Sequence, residues 1–112
     1  MMDGFQRISV QQAKQLMSEK LSVIVDVRDV NSYRAGSLPD AQHVNLSSFP
    51  RFRKTTDRAL PILIYCYHGN ASQDMAQLFV DFGFAEVYSM DGGFDAWRLA
   101  MDGVQGAAPL GS

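Results

Sequence analysis

Two nearly continuous apolar runs constrain this chain more than any other feature. SVIVDV spans residues 22–27 and ILIYC spans residues 62–66. Both are rich in β-branched residues, and neither alternates polar with apolar. That pattern belongs to strands buried on both faces, which occur mainly in parallel sheets covered by helices. Parallel neighbours need long crossover connections. The segments between and after the two runs carry helical signals of suitable length.

Ser9 and Gln12 form a capping box that opens a helix, with Val10, Ala13, Leu16 and Met17 at helical spacing. Asn31 or Ser32 caps a short helical turn that Gly36 ends. Gln42 to Leu46 reads as a short strand, and 47–58 as loop and helix anchored by Phe49 and Phe52. After ILIYC, Ser72 opens a strong helix with Met75, Leu78, Phe79 and Phe82 on one face and Gly83 in the C′ position. AEVYSM is a further strand, Asp91-Gly92-Gly93 a turn, and FDAWRLAM a final helix ending at Gly103. Strands alternating with helices predict a three-layer α/β domain, with a mostly parallel central sheet and helices on both faces. The 112 residues suit one domain, with a core from about residue 5 to 101 and a flexible Gly-, Ala- and Pro-rich tail over 103–112.

With 46% hydrophobic and 20% charged residues, the chain can build a core without staples. A net charge of −2 argues against nucleic acid as the main partner. The densest basic run, Arg51, Arg53, Lys54 and Arg58, reads as a solvated face or as a docking patch. One cysteine forms no internal disulfide and suggests no multi-cysteine metal site, so no metal is expected and a reducing, cytoplasmic setting is. The first residues hold no apolar stretch of signal-peptide length, and no run approaches membrane-spanning length, so no membrane partner is expected.

The chemistry concentrates at ILIY-Cys66-YHGNA-Ser72. Cys66 stands at the carboxyl end of a predicted central strand, the edge where ligands bind in open α/β sheets. The following helix turns its free N–H groups and positive dipole end toward the loop, which favours a thiolate. Gly69 permits positive φ, and Asn70 tolerates it. Tyr67, His68, Gly69, Asn70, Ala71 and Ser72 thus form a candidate anion nest. The plainer reading is a structural cysteine that packs as a small hydrophobe. His68 is either a base, a substrate contact or a solvent-facing loop residue. Arg28, in the alternation Asp26-Arg28-Asp29, either adds positive potential near the site or supports neighbouring loops.

CYHGNAS resembles the active-site loop of small single-domain rhodaneses, particularly the glycerol-operon type of thiosulfate sulfurtransferase. VDVRDVNSYRAGSLPDAQHV resembles the rhodanese amino-terminal signature, and YSMDGGFDAW the carboxyl-terminal one. The three stand in family order. The resemblance implies a rhodanese-like fold and transfer of sulfane sulfur through a persulfide on Cys66, with no cofactor. Thiosulfate or a similar donor would load the cysteine. Cyanide in assay, or a small thiol or dithiol protein in cells, would unload it. A sulfur-relay or regulatory module with little thiosulfate turnover is the alternative.

Related phosphatases clamp phosphate with a loop arginine. Here that position is Ser72, followed by Gln73, and no arginine occurs between Arg58 and Arg98. Departures from the family pattern are Ser37 and Leu38 in place of His-Ile, and Asp40 where glycine is frequent. Ala71 stands where close relatives often carry serine, which removes a potential hydroxyl contact to a donor.

Overall fold

The two apolar runs lie side by side at the middle of a five-stranded sheet. The computed structural model describes residues 4–106, with side chains to Met101. In chain order the elements are β1 (Gln6–Ile8), α1 (Val10–Glu19), β2 (Val23–Asp26), α2 (Val30–Ala35), β3 (Gln42–His43), α3 (Phe49–Thr55), β4 (Ile62–Tyr65), α4 (Ala71–Asp81), β5 (Val87–Met90) and α5 (Gly93–Gly106). The sheet order is β1-β5-β4-β2-β3, and all four pairings are parallel. Val23 pairs with Ile62 and Asp26 with Tyr65, so β2 and β4 end level with each other.

Side chains alternate across the sheet and divide the core in two. Val25, Ile62, Ile64 and Val87 face one layer, where α3 contributes Phe49 and Phe52 and α4 contributes Met75, Ala76 and Phe79. Ile24, Leu63, Tyr65 and Met90 face the other, with Val10, Ala13 and Leu16 of α1 and the apolar side of α5. This two-sided burial is why the central strands read as unbroken apolar runs. Each wholly buried aromatic or aliphatic side chain contributes about 1.5–3 kcal/mol. The three-layer α/β class read from the sequence is the one observed.

Local chemistry explains the boundaries. The Ser9–Gln12 capping box forms as expected, with bonds in both directions. Helix α2 is capped two to three residues earlier than expected. Asp29, not Asn31 or Ser32, is the N-cap, and it accepts from the Ser32 N–H at 3.0 Å. Gly36 ends that helix. The strand expected over Gln42–Leu46 shrinks to two residues because the chain turns into α3 through an Asn45–Ser48 hydrogen-bonded turn. Phe82 lies at the end of α4 and is half-exposed, with its ring edge-on against Phe49 and beneath Arg53. Gly83 follows with φ +94°.

Strand β1 is absent from the sequence reading, since three residues with an exposed-exposed-buried pattern leave no periodic signal. Helix α5 runs to Gly106 rather than stopping at Gly103; a helical glycine costs only about 1 kcal/mol relative to alanine. The rest of the expected tail, residues 107–112, lies outside the described residues. No helix among the described residues is long and apolar enough to cross a membrane.

Candidate active site

Cys66 follows directly on β4, at the carboxyl edge of the sheet, and is 5% exposed. The next residues turn sharply because Gly69 takes φ +95°. That turn brings the Gly69 N–H back onto the Cys66 sulfur at 3.1 Å. Asn70 needs no left-handed backbone; it is right-handed and acts as the N-cap of α4 without a side-chain bond. The helix therefore starts at Ala71, one residue before Ser72. Ser72 sits in its first turn, fully buried, with its hydroxyl oxygen 3.4 Å from the Cys66 sulfur.

Burial pushes the Cys66 thiol up. The Ser72 hydroxyl, with the N–H groups of Ser72, Gly69 and His68, outweighs burial and holds the group below the ordinary thiol value. Hydrogen bonds to the charged form favour it, and a helix N-terminus adds to them. The sulfur lies in a hollow of about 270 Å³ whose wall includes Arg28, Tyr67, His68, Asn70 and Ala71. Neutral donors of the loop and the helix start favour an anionic sulfur there. Among the described residues, no group of three or more His, Cys, Asp or Glu side chains could hold a metal ion.

The loop is held from behind by the start of α5. The N–H groups of Phe94 and Asp95 donate to the carbonyl oxygens of Cys66 and Tyr67 at 2.7 and 3.1 Å. Such an approach needs glycine. A Cβ on Gly93, whose φ is +60°, would stand 2.5 Å from the Tyr67 carbonyl. A Cβ on Gly69 would stand 2.8 Å from the Gly92 nitrogen. Asp91-Gly92-Gly93 thus does more than shape its own turn: it seats the Cys66 loop.

The remaining sequence candidates take distinct places. Arg28 is 6% exposed; its Nη2 donates to Asp26 Oδ2 at 2.6 Å and to the Gly36 carbonyl at 2.5 Å. Burial opposes its charge, but the Asp26 carboxylate more than compensates and keeps its pKa raised. The guanidinium also lies 4.0 Å from the Phe94 ring centre and 5.1 Å from that of Tyr67. The Tyr65 hydroxyl donates to Asp26 and accepts from the Leu38 N–H. Arg28 is therefore tied into a buried network that borders the hollow.

Tyr67 is half-exposed and donates its hydroxyl to Ser32 at 2.9 Å, which ties the loop to α2. The His68 side chain points outward, with Nδ1 3.5 Å from Asp95 Oδ2, and its ring makes no bond to Cys66. Ser89, fully buried in β5, was missed by the sequence reading. Its hydroxyl lies 2.8 Å from that of Ser72. The one available signal was a lone polar residue within the buried strand VYSM.

The rhodanese-like domain model matches residues 9–100, which includes the loop, the Asp26–Arg28 segment and the Asp91-Gly92-Gly93 turn. The chain belongs to the rhodanese-like family. It is 44% identical over 98 residues to a protein of Pseudomonas paraeruginosa named thiosulfate sulfurtransferase GlpE, a match that covers 88% of each chain. Among solved structures, a rhodanese-like domain protein from Staphylococcus aureus superposes with a TM-score of 0.74 at 23% identity, over 83% of this chain and 91% of that one. A Rhodopseudomonas palustris protein of unknown function, described as a possible tyrosine phosphatase, gives a TM-score of 0.71 at 26% identity, over 87% of this chain and 82% of the other. The shared rhodanese fold thus accompanies differently described chemistries, and the loop has to decide between them.

Proposed function

We propose that this rhodanese domain, read as one domain over residues 1–112, is a thiosulfate sulfurtransferase with Cys66 as its nucleophile. The observation that carries the reading is the sulfur of Cys66 at the base of the hollow, facing the Gly69 N–H and the Ser72 hydroxyl. The thiolate attacks the outer sulfur of thiosulfate. A new S–S bond forms to Cys66, the bond to the sulfonate sulfur breaks, and sulfite leaves with the electron pair. The persulfide that remains carries one negative charge on its terminal sulfur, which the loop N–H groups stabilise. An acceptor nucleophile then takes that sulfur and restores the Cys66 thiolate. Cyanide leaves as thiocyanate; a small thiol or one thiol of a dithiol protein leaves as a persulfide. Electrons balance in both halves without a cofactor, and the cycle is ping-pong covalent catalysis.

Tyr67, His68, Asn70 and Ala71 form the donor-facing wall, and Arg28 supports it from below. Phosphoryl transfer is disfavoured because a buried serine occupies the arginine position of the phosphatase loop. A nucleophilic thiol must stay reduced, which supports a cytoplasmic setting. The test is intact mass after incubation with thiosulfate, then cyanide. A gain of one sulfur that cyanide removes, and that Cys66→Ser abolishes, is expected. No gain from thiosulfate, but a gain from a protein persulfide donor, would instead make the domain a sulfur relay. Ala71, which offers no hydroxyl to thiosulfate in the hollow, is the observation that keeps the relay reading in view.

A further inference from the structure

We propose that Ser89 is a positioning residue for the Cys66 thiolate and acts through the Ser72 hydroxyl. The two serine oxygens are 2.8 Å apart, Ser72 is 3.4 Å from the sulfur, and both serines are 0% exposed. Ser89 occupies the β5 position paired with Ile64 on one side and Arg7 on the other, so the strand register fixes where its side chain starts.

The reasoning is a count of donors. A serine hydroxyl has one proton to give and an oxygen that accepts. When Cys66 carries its proton, the S–H donates to Ser72. When Cys66 ionises, Ser72 must turn its own proton toward the sulfur, and its oxygen loses the S–H it had accepted. Buried at 0% exposure, that oxygen would be unmatched, which disfavours ionisation. Ser89 supplies the replacement donor. The chain then runs Ser89 to Ser72 to sulfur, each bond polarising the next. Among the described residues, no other side chain is bonded to the Ser72 or Ser89 hydroxyl.

The ionisable side chains nearby come from separate elements: Arg28 after β2 and His68 in the loop line the hollow, while Asp74 lies in the first turn of α4 and Asp95 in that of α5. None bonds to Ser89, so a Ser89 variant leaves them in place. The inference rests on Cys66 being the reactive nucleophile, but not on thiosulfate being the donor.

The test follows iodoacetamide alkylation of Cys66, together with ultraviolet thiolate absorbance, against pH. Four proteins are compared: wild type, Ser89→Ala, Ser72→Ala and the double variant. In Ser89→Ala the midpoint should move up by about 0.5–1 pH unit, the worth of one hydrogen bond. In the Ser72→Ala background, Ser89→Ala should add nothing, because the link it acts through is gone. Ser89→Thr, which keeps the hydroxyl, should restore the wild-type midpoint. Thermal unfolding confirms that each variant is folded. An unchanged midpoint in Ser89→Ala overturns the proposal, as does an equal effect with and without Ser72. Sulfur loading from thiosulfate is measured separately. Its failure with an intact Ser89 effect would count against the donor and leave the positioning role standing.

Discussion

The Phe94 N–H donates to the Cys66 carbonyl oxygen at 2.7 Å, although the two residues lie in different sequence signatures. The bond joins the start of α5 to the strand end that carries the thiol, and Gly93 makes the approach possible. Gly93→Ala should therefore push the Cys66 loop off its seat. The expected result is a folded protein whose kcat/KM for sulfur transfer falls at least about tenfold, since small displacements of a reacting group cost that much or more. Gly83→Ala is the control. Its φ is also positive, at +94°, but the nearest atom to a new Cβ is Arg58 Cδ at 3.5 Å. It should lower the melting temperature and leave kcat/KM unchanged. Equal activity in both variants would remove the seating role.

The buried Asp26–Arg28 pair predicts an asymmetry. Arg28→Met leaves a carboxylate at 0% exposure with only the Tyr65 hydroxyl and the Arg28-position N–H as donors. Removing one partner of such a pair costs about 3–5 kcal/mol, measurable by denaturant unfolding. Replacing both partners with apolar groups of similar size should recover much of that loss, because no unpaired charge remains. A single variant within 1 kcal/mol of wild type would mean the network is not holding the β2 end in place.

Cys66 also predicts how stability varies with pH. Its folded pKa is lowered, whereas the unfolded thiol keeps its ordinary value. Between the two, the unfolded chain binds more protons, so stability rises with pH across that window. The contribution is fully present above the unfolded value and is lost as pH falls through the folded one. Unfolding free energies of wild type and Cys66→Ala, compared over neutral to mildly alkaline pH, should diverge in favour of wild type as pH rises. Parallel curves would show that the thiolate is not stabilised.

Ala71 opens α4 at the wall of the hollow. A serine there adds a hydroxyl facing an anionic donor. Ala71→Ser should lower the apparent KM for thiosulfate by about 2–10-fold, the range of one hydrogen bond, with kcat little changed. An unchanged KM would indicate that donor contacts come from the backbone alone.

The layered α/β fold was legible in the sequence because SVIVDV and ILIYC are buried on both faces, and burial on both faces removes alternation. Cys66 stood out for a related reason: the end of a central strand, a glycine turn and a helix start are all local patterns. Asp40 shows the limit of such patterns. It was noted only as a departure from a frequent glycine, and the structure places it at φ +60°, the single positive-φ residue besides glycine among those described. The β1 strand, the seating of the loop by Gly93 and Phe94, and the Ser72–Ser89 contact were not legible. Each joins residues distant in the chain, and sequence spacing carries no information about pairs brought together by sheet register. By itself the sequence determined the layers, the place of Cys66 at a strand end and the glycine turn that follows it, since these follow from local backbone preference and hydrophobic periodicity. Only the tertiary structure decided what backs that local arrangement, Ser89 behind the Ser72 hydroxyl and the start of α5 behind the Cys66 and Tyr67 carbonyls, because β4, β5 and α5 meet there through parallel pairing and close glycine packing.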